Sequence, residues 1–304
     1  MSTVAGTNIS TNHRQRATDL IALRKFEQAA REARLALQQH PDDAEAHRLL
    51  AWALWRQNEL SRAESAARAA LRLAPNGADM HSTLALVLGD RGKRQEAREH
   101  HEQAIALIPV LATFHARYAQ FLLSTDRWAA ALRRADEALK HDPRSVSALL
   151  IRAQALRIQG HLPQAEVAAR EALALEPNRA VAHQVLGGIY LARDEGDAAF
   201  AAFREALRLE PRNETFKREL VRAAEARLPV IGVMWRYGQA SLLHRVFWTA
   251  ITLFSFLTCC LTGWTNPGLA LLFGVFYLFD LVWGFFVWVV DPLLTRAVLK
   301  GWIK

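Results

Sequence analysis

Three histidines recur at a spacing that first suggests a shared chemical role. His47, His81 and His115 stand 34 residues apart, and imidazole is both a common metal ligand and a common proton carrier. In a stack of repeated helices, such residues occupy equivalent places about 10 Å apart. That separation is too large for one shared ion, so the spacing predicts no metal site.

No catalytic or cofactor-binding motif accompanies these histidines. The sequence has no glycine-rich phosphate loop, no paired-cysteine metal spacing and no Gly-x-Ser-x-Gly elbow. His100 and His101 are adjacent on a predicted helix and point in different directions, which also argues against a site. We therefore expect no enzymatic activity, no cofactor and no metal.

Asp280 is the only charged residue in the apolar run 268–290. An acid inside a membrane is costly and often functional. Three interpretations stay open: a protonated Asp280 bonded to Thr252 of the preceding apolar run, a contact to a partner membrane protein, or a proton relay. The first two are favoured together, because a relay normally needs a chain of ionisable groups and the sequence shows none.

The elements that position these residues follow a fixed period of 34 residues. It is marked by Pro41, Pro75, Pro109, Pro143, Pro177 and Pro211. Two alanine positions keep the same interval, at Ala29, Ala63, Ala97, Ala131, Ala165 and Ala199, and at Ala36, Ala70, Ala104, Ala138, Ala172 and Ala206. A third small position reads Ala17, Ala51, Ala85, Ala119, Ala153 and Gly187. Such a period is typical of stacked units, because each unit must bury its apolar face against the next.

Each unit is predicted to be a pair of antiparallel helices. In the second repeat, residues 44–77, the helices should span about 44–56 and 60–73. The turn between the two helices recurs as Asn58, Gly92, Asp126, Gly160 and Asp194. These residue types tolerate left-handed backbone conformations. The recurrent proline ends the second helix of each pair, since proline cannot continue a helix interior.

This pattern closely resembles the tetratricopeptide repeat family, with small residues at repeat positions 8, 20 and 27, a bulky residue at 11 and proline at 32. The resemblance implies an all-α helical solenoid of six helix-turn-helix repeats over residues 10–213, closed by a capping helix at 214–227. The repeats are 10–43, 44–77, 78–111, 112–145, 146–179 and 180–213. At position 4, where the family often has tryptophan, histidine stands in five repeats, and it is interpreted as a partly buried substitute. At position 24 only Phe203 supplies the usual aromatic residue.

The resemblance also implies a binding groove, because positions 5, 9 and 12 of each first helix line the concave surface in this family. These positions, with the adjacent Arg56, give Arg48, Trp52, Trp55, Arg56, Gln120, Gln154, Arg157 and Gln184. Exposed tryptophans flanked by arginines would suit an aromatic or acidic peptide segment. Alternatively, Trp52 and Trp55 fill the space between helices. The Asn and Lys pattern with which some family members bind a C-terminal carboxylate is absent.

Beyond residue 227 the composition shifts to Leu, Phe, Val and Trp. Residues 228–244 are predicted to form a connector in the membrane interface, or one that packs on the repeats. The apolar runs 246–264 and 268–290 can each cross a bilayer core of roughly 30 Å, so residues 245–304 are predicted to form a transmembrane hairpin. Basic residues flank the hairpin on both sides and none lies in its turn, which favours cytoplasmic placement of both ends.

The formal charge of +8 is interleaved with acidic residues, so we expect a solvated surface and a membrane-orientation signal rather than nucleic-acid binding. Residues 1–9 show no signal-peptide pattern and are expected to be a mobile tail. We therefore expect a non-enzymatic scaffold that holds a protein partner at the cytoplasmic face of a bacterial inner membrane. Two alternatives are an accessory subunit of an envelope secretion, polysaccharide-export or transporter complex, and a small transport or enzymatic role centred on Asp280.

Overall fold

The computed structural model describes residues 3–227, with side chains from residue 12 onward. The connector 228–244 and the hairpin 245–304, with Thr252 and Asp280, lie outside the described residues. The chain divides between Leu175 and Glu176 into two compact units.

The described residues form thirteen helices and no strand. The first unit contains α1 (Thr3–Ala22), α2 (Phe26–Gln39), α3 (Ala44–Arg56), α4 (Leu60–Leu73), α5 (Ala78–Asp90), α6 (Arg94–Leu107), α7 (Ala112–Ser124), α8 (Trp128–His141), α9 (Val146–Ile158) and α10 (Leu162–Leu175). The second unit contains α11 (Ala180–Ala192), α12 (Gly196–Leu209) and α13 (Glu214–Arg227). Between residues 3 and 227, no helix is both long enough and apolar enough to cross a membrane.

In the first unit the helices pack as successive pairs. Each odd-numbered helix packs along the even-numbered helix that follows it, and each of α2, α4, α6 and α8 also packs against the first helix of the next pair. The odd-numbered helices α1 to α9 lie side by side as well. In the second unit α12 packs between α11 and α13. The predicted all-α array of helix pairs is confirmed for the described residues.

The turn inside each pair depends on one residue in the left-handed region. Asn58 has φ 63° and Gly160 has φ 82°, and all five predicted turn positions have positive φ. The first pair adds Arg24 at φ 59°, a residue type that does not signal this conformation. These turns let α3 and α4 begin and end at the residues predicted for the second repeat.

The recurrent alanines form the seams between helices. Every alanine at the three repeated small positions is at most 1% exposed. A methyl side chain lets neighbouring backbones approach, while larger residues such as Leu84, Leu88 and Phe114 fill the remaining space. The 34-residue period of small residues is therefore a period of close helix contacts.

The N-terminal end differs from the prediction. Helix α1 begins at Thr3, so residues 3–9 are helical where a mobile tail was expected before a first repeat starting at residue 10. No proline occurs before Pro41, so nothing in this stretch removes a backbone hydrogen-bond donor from the first helix. At the other end, α13 spans the residues predicted for the capping helix, and the Asn213 side chain accepts a hydrogen bond from the backbone amide of Phe216 at 3.3 Å.

Candidate functional site

Two tryptophans and an arginine come together where α3, α5 and α7, the first helices of three successive pairs, lie side by side. Trp52 and Trp55 lie one turn apart on α3, with ring centroids 5.1 Å apart in an edge-on arrangement. Arg117 reaches over from α7, and its Cζ lies 4.9 Å from the centroid of the Trp52 ring. We call Arg48, Trp52, Trp55, Ser82 and Arg117 the Trp–Arg site.

The two tryptophans are half-buried, so each keeps some exposed ring surface. Trp55 Nε1 donates a hydrogen bond to Asp90 Oδ2 at 2.6 Å, which fixes the indole against the end of α5. Trp52 is covered on one side by the Arg117 guanidinium. The pair therefore forms a fixed aromatic surface rather than two freely exposed side chains.

Two of the predicted groove arginines already have partners. Arg48 donates from Nε and Nη2 to the Glu45 carboxylate at 2.7 and 2.5 Å. Burial alone would lower the pKa of Arg48, but the hydrogen bond and charge of Glu45 and the charge of Asp79 raise it above its usual range. The Arg56 Cζ lies 4.9 Å from the Phe26 ring centroid and 5.6 Å from that of Trp55.

Arg117 is one of the two residues of the Trp–Arg site that the sequence prediction missed, and Ser82 is the other. Arg117 stands at repeat position 6, where Leu49, Ile151 and Val185 are buried in other repeats. Its Nη1 donates to the hydroxyl of Ser82 at 2.8 Å. Burial lowers the pKa of Arg117, the Asp79 charge raises it and the Arg48 charge lowers it further. An arginine at a position that is apolar in three other repeats was the signal available in the sequence.

The remaining predicted groove residues lie on other helices. Gln120 is exposed on α7, while Gln154 and Arg157 are half-buried on α9. Gln184 lies on α11 in the second unit. The structure thus brings together Arg48, Trp52 and Trp55 of the predicted set, with Arg56 against Trp55, and it adds Ser82 and Arg117.

The repeated histidines have a structural role. Four of them place Nε2 against the carbonyl of the proline six residues earlier: His47 at 3.0 Å, His81 at 3.0 Å, His115 at 2.7 Å and His183 at 3.0 Å. Because a carbonyl oxygen only accepts, Nε2 carries the hydrogen in each. Histidine at position 4 therefore ties the proline turn to the helix that follows.

Histidines also pair within the third repeat. Nδ1 of His81 lies 3.0 Å from Nδ1 of His100, whereas His101 stacks on Tyr118 with ring centroids 5.2 Å apart. Burial first, and then the Arg117 and His100 charges, lower the pKa of His101 to about 3. Within residues 12–227 no three His, Cys, Asp or Glu side chains come together in a way that could hold a metal ion.

The repeats match known proteins. A family model described as tetratricopeptide repeat matches residues 14–78 and 119–180. No curated protein matches the chain. Among solved structures, the anaphase-promoting-complex hetero-tetramer Cut9–Hcn1 is similar with a TM-score of 0.63 and 18% identity over 70% of this chain, and the match covers 42% of that chain.

Two further solved structures are similar over nearly all of their own length. PilW, a type IV pilus biogenesis factor, gives a TM-score of 0.58 and 18% identity over 70% of this chain and 96% of its own. PilF from Pseudomonas aeruginosa gives a TM-score of 0.56 and 18% identity over 70% of this chain and 97% of its own. At this identity the similarity shows a shared fold.

Proposed function

Because this chain belongs to the tetratricopeptide repeat family, we propose that it is a non-enzymatic scaffold whose Trp–Arg site binds a segment of a partner protein. The observation that carries this proposal is the fixed aromatic surface of Trp52 and Trp55 beside Arg117. Tryptophan and arginine are the residue types most enriched at the centres of protein interfaces. A half-buried aromatic pair with a guanidinium against one ring is the type of surface that a peptide side chain can cover.

We further propose that the hairpin 245–304 tethers this scaffold to the cytoplasmic face of a bacterial inner membrane. The support is the sequence: two apolar runs long enough to span, a turn without charge, and basic residues on both flanks. In this arrangement the repeats hold a partner close to the lipid.

The tether can be tested directly on cells and membranes. We expect the protein to stay with the membrane pellet after high-salt and carbonate washing, because two spanning helices are not removed by either. Protease added to intact spheroplasts should leave the repeats uncut. Release by carbonate, or loss of the N-terminal repeats to external protease, would contradict the proposed placement.

Replacing Trp55 with alanine should reduce partner capture and leave the fold intact. We expect about a five- to thirtyfold loss of partner yield, the range for truncating a tryptophan at an interface centre, since 1–2 kcal/mol corresponds to that factor. The measurement is crosslinking of the full-length protein in its native membrane, followed by mass spectrometry of the captured proteins. Thermal unfolding of the variant checks the fold.

Trp128→Ala is the matched control, because Trp128 is an exposed tryptophan at the start of α8 in the same unit. Capture by Trp128→Ala should equal wild type. Recovery of the same partners at the same yield by Trp55→Ala would contradict the proposed binding site. A stoichiometric membrane protein among the partners would favour an accessory subunit of an envelope complex over an exchanging adaptor.

A further inference from the structure

The Trp–Arg site contains a guanidinium without a carboxylate partner. Arg48 is paired with Glu45, and Arg14 with Asp43 at 3.3 Å. In the described part of the chain, Arg117 has the Ser82 hydroxyl and the Trp52 ring as neighbours and no ion pair. A guanidinium has five N–H donors, so most of the donor capacity of Arg117 is not used within residues 12–227.

The surroundings of Arg117 favour an anion. The Arg48 charge is close enough to oppose that of Arg117, and burial removes part of the solvation of the Arg117 side chain. The Asp79 charge attracts Arg117 but forms no ion pair with it within the described residues, and a charge that is partly removed from water without a direct partner is costly. A carboxylate from outside would supply both the missing charge and bidentate hydrogen-bond acceptors.

The position beside Arg117 favours an apolar or aromatic group. The Arg117 guanidinium lies over one side of the half-buried Trp52 ring, and the half-buried Trp55 ring lies edge-on to Trp52 at 5.1 Å. Aromatic rings pack well against such an edge-on pair. The two features together describe an acidic side chain and an apolar one held close to each other.

We propose that Arg117 recognises the side-chain carboxylate of an acidic peptide segment of the partner, with a neighbouring aromatic or apolar side chain on Trp52 and Trp55. This inference rests on the proposed function and specifies the chemistry of the partner. The carboxylate is what distinguishes this occupant from a purely apolar peptide, and charge complementarity to Arg117 is the reason for choosing it.

Asp79 is the internal competitor for Arg117. It is exposed on α5, makes no ion pair within the described residues, and attracts both Arg117 and Arg48 electrostatically. An incoming carboxylate must take over that interaction and approach the Asp79 charge. Removing the charge at Asp79 should therefore strengthen the binding of an acidic peptide, whereas removing the charge at Arg117 should weaken it.

The test uses the full-length protein in detergent micelles and a displayed library of random peptides as the probe. Peptides selected by the wild type should be enriched in Asp or Glu next to an aromatic or large apolar residue. The selected peptide and its Asp→Asn or Glu→Gln counterpart are then titrated, labelled, by fluorescence anisotropy. Arg117→Gln should lower the affinity for the acidic peptide about tenfold, because one charged hydrogen-bond pair is lost. The affinity for the amide counterpart should change by less than about twofold.

Two further variants keep the test decisive if Arg117→Gln unfolds. Asp79→Asn, which alters an exposed side chain, should raise the affinity for the acidic peptide a few-fold. It should leave the affinity for the amide peptide unchanged. Arg133→Gln, an exposed arginine on α8 with no ion pair in the described residues, carries the same charge change and should have no effect on either peptide.

Five results would overturn the inference, and they differ in whether the proposed function survives. Selection without acidic enrichment, equal binding of the acidic peptide to wild type and Arg117→Gln, or selected peptides that reproduce this chain's own sequence would each contradict it. If Trp55→Ala abolished peptide binding while Arg117→Gln and Asp79→Asn had no effect, the proposed function would stand. Only the proposed recognition of a partner carboxylate would then be wrong. A wild-type protein that selects no peptide would contradict both.

Discussion

Replacing Phe203 with alanine is expected to lower the free energy of unfolding by about 3–5 kcal/mol, the usual cost of truncating a fully buried phenylalanine. Phe203 is 1% exposed on α12 and belongs to a cluster with Phe200 and Leu220. Its ring fills the space directly above Gly187 on α11. Urea unfolding of the full-length protein, followed by far-ultraviolet circular dichroism, measures the loss.

The same ring explains why the repeated alanine is replaced by glycine at residue 187. A Cβ on Gly187 would lie 2.7 Å from Phe203 Cζ and 2.8 Å from Cε1 and Cε2. In four other repeats both positions are alanine, as in Ala51 with Ala67 and Ala119 with Ala135. Glycine at 187 is therefore the compensation for the only phenylalanine at repeat position 24.

If Gly187 compensates for the Phe203 ring, the effect of Gly187→Ala on the free energy of unfolding should change sign when Phe203 is removed. With Phe203 present, Gly187→Ala should destabilise the protein by about 1–2 kcal/mol, because overpacking outweighs the gain in helix propensity. With Phe203→Ala in place, the same Gly187→Ala change should stabilise it by about 0.5–1 kcal/mol, since only the propensity gain remains. A Gly187→Ala effect that is equal in the two backgrounds would contradict the contact.

Replacing Glu64 with glutamine should cost about 3 kcal/mol, near the lower limit for removing one member of a buried charge cluster. Glu64 is 5% exposed on α4, and its carboxylate binds Arg68 and Lys93 at 2.8 Å each, and Arg91. Arg91 and Lys93 belong to the connection between α5 and α6. The carboxylate therefore joins the second repeat to the third, and its loss leaves three cations close together.

Glu59→Gln is the control, because Glu59 pairs with Arg62 at an exposed surface. That change should cost less than about 1 kcal/mol. Both variants are compared with wild type by urea unfolding of the full-length protein. Equal losses in the two variants would show that Glu64 is not a structural link between repeats.

The Glu64 contribution should also depend on pH. Burial would raise the pKa of Glu64, but hydrogen bonds from Lys93, Arg68 and Arg91 outweigh it and lower the pKa from 4.5 to about 2. The stability supplied by this carboxylate is therefore complete above pH 4.5 and is lost as the pH falls towards 2. The difference in unfolding free energy between wild type and Glu64→Gln should shrink over that window.

The repeat fold could be predicted from the sequence because its determinants are local and periodic. The small residues, the proline and the turn residues each recur in register, so α3, α4 and α13 could be placed to the residue. Arg24 escaped prediction because its left-handed conformation is imposed by the repeat and not favoured by its own residue type.

The site could be predicted only in part, because its partners come from different repeats. Trp52 and Trp55 lie on one helix, so their spacing places them together. Arg117 meets Trp52 only through the packing of α3, α5 and α7, which no local pattern specifies. Arg48 was expected to be available to a ligand, but the acid one turn earlier, Glu45, occupies it.

The hydrogen bond from histidine to the proline carbonyl has a consequence for how the chain can change in length. The bond always joins position 4 of one repeat to position 32 of the repeat before it, as in His81 with Pro75 and His115 with Pro109. Excising 34 residues between two such joints would bring a histidine to the carbonyl of an equivalent proline. Duplication or deletion of a repeat that lies between two such bonds would therefore keep the same contact at the new junction, so the array can change in length without a new type of contact between repeats.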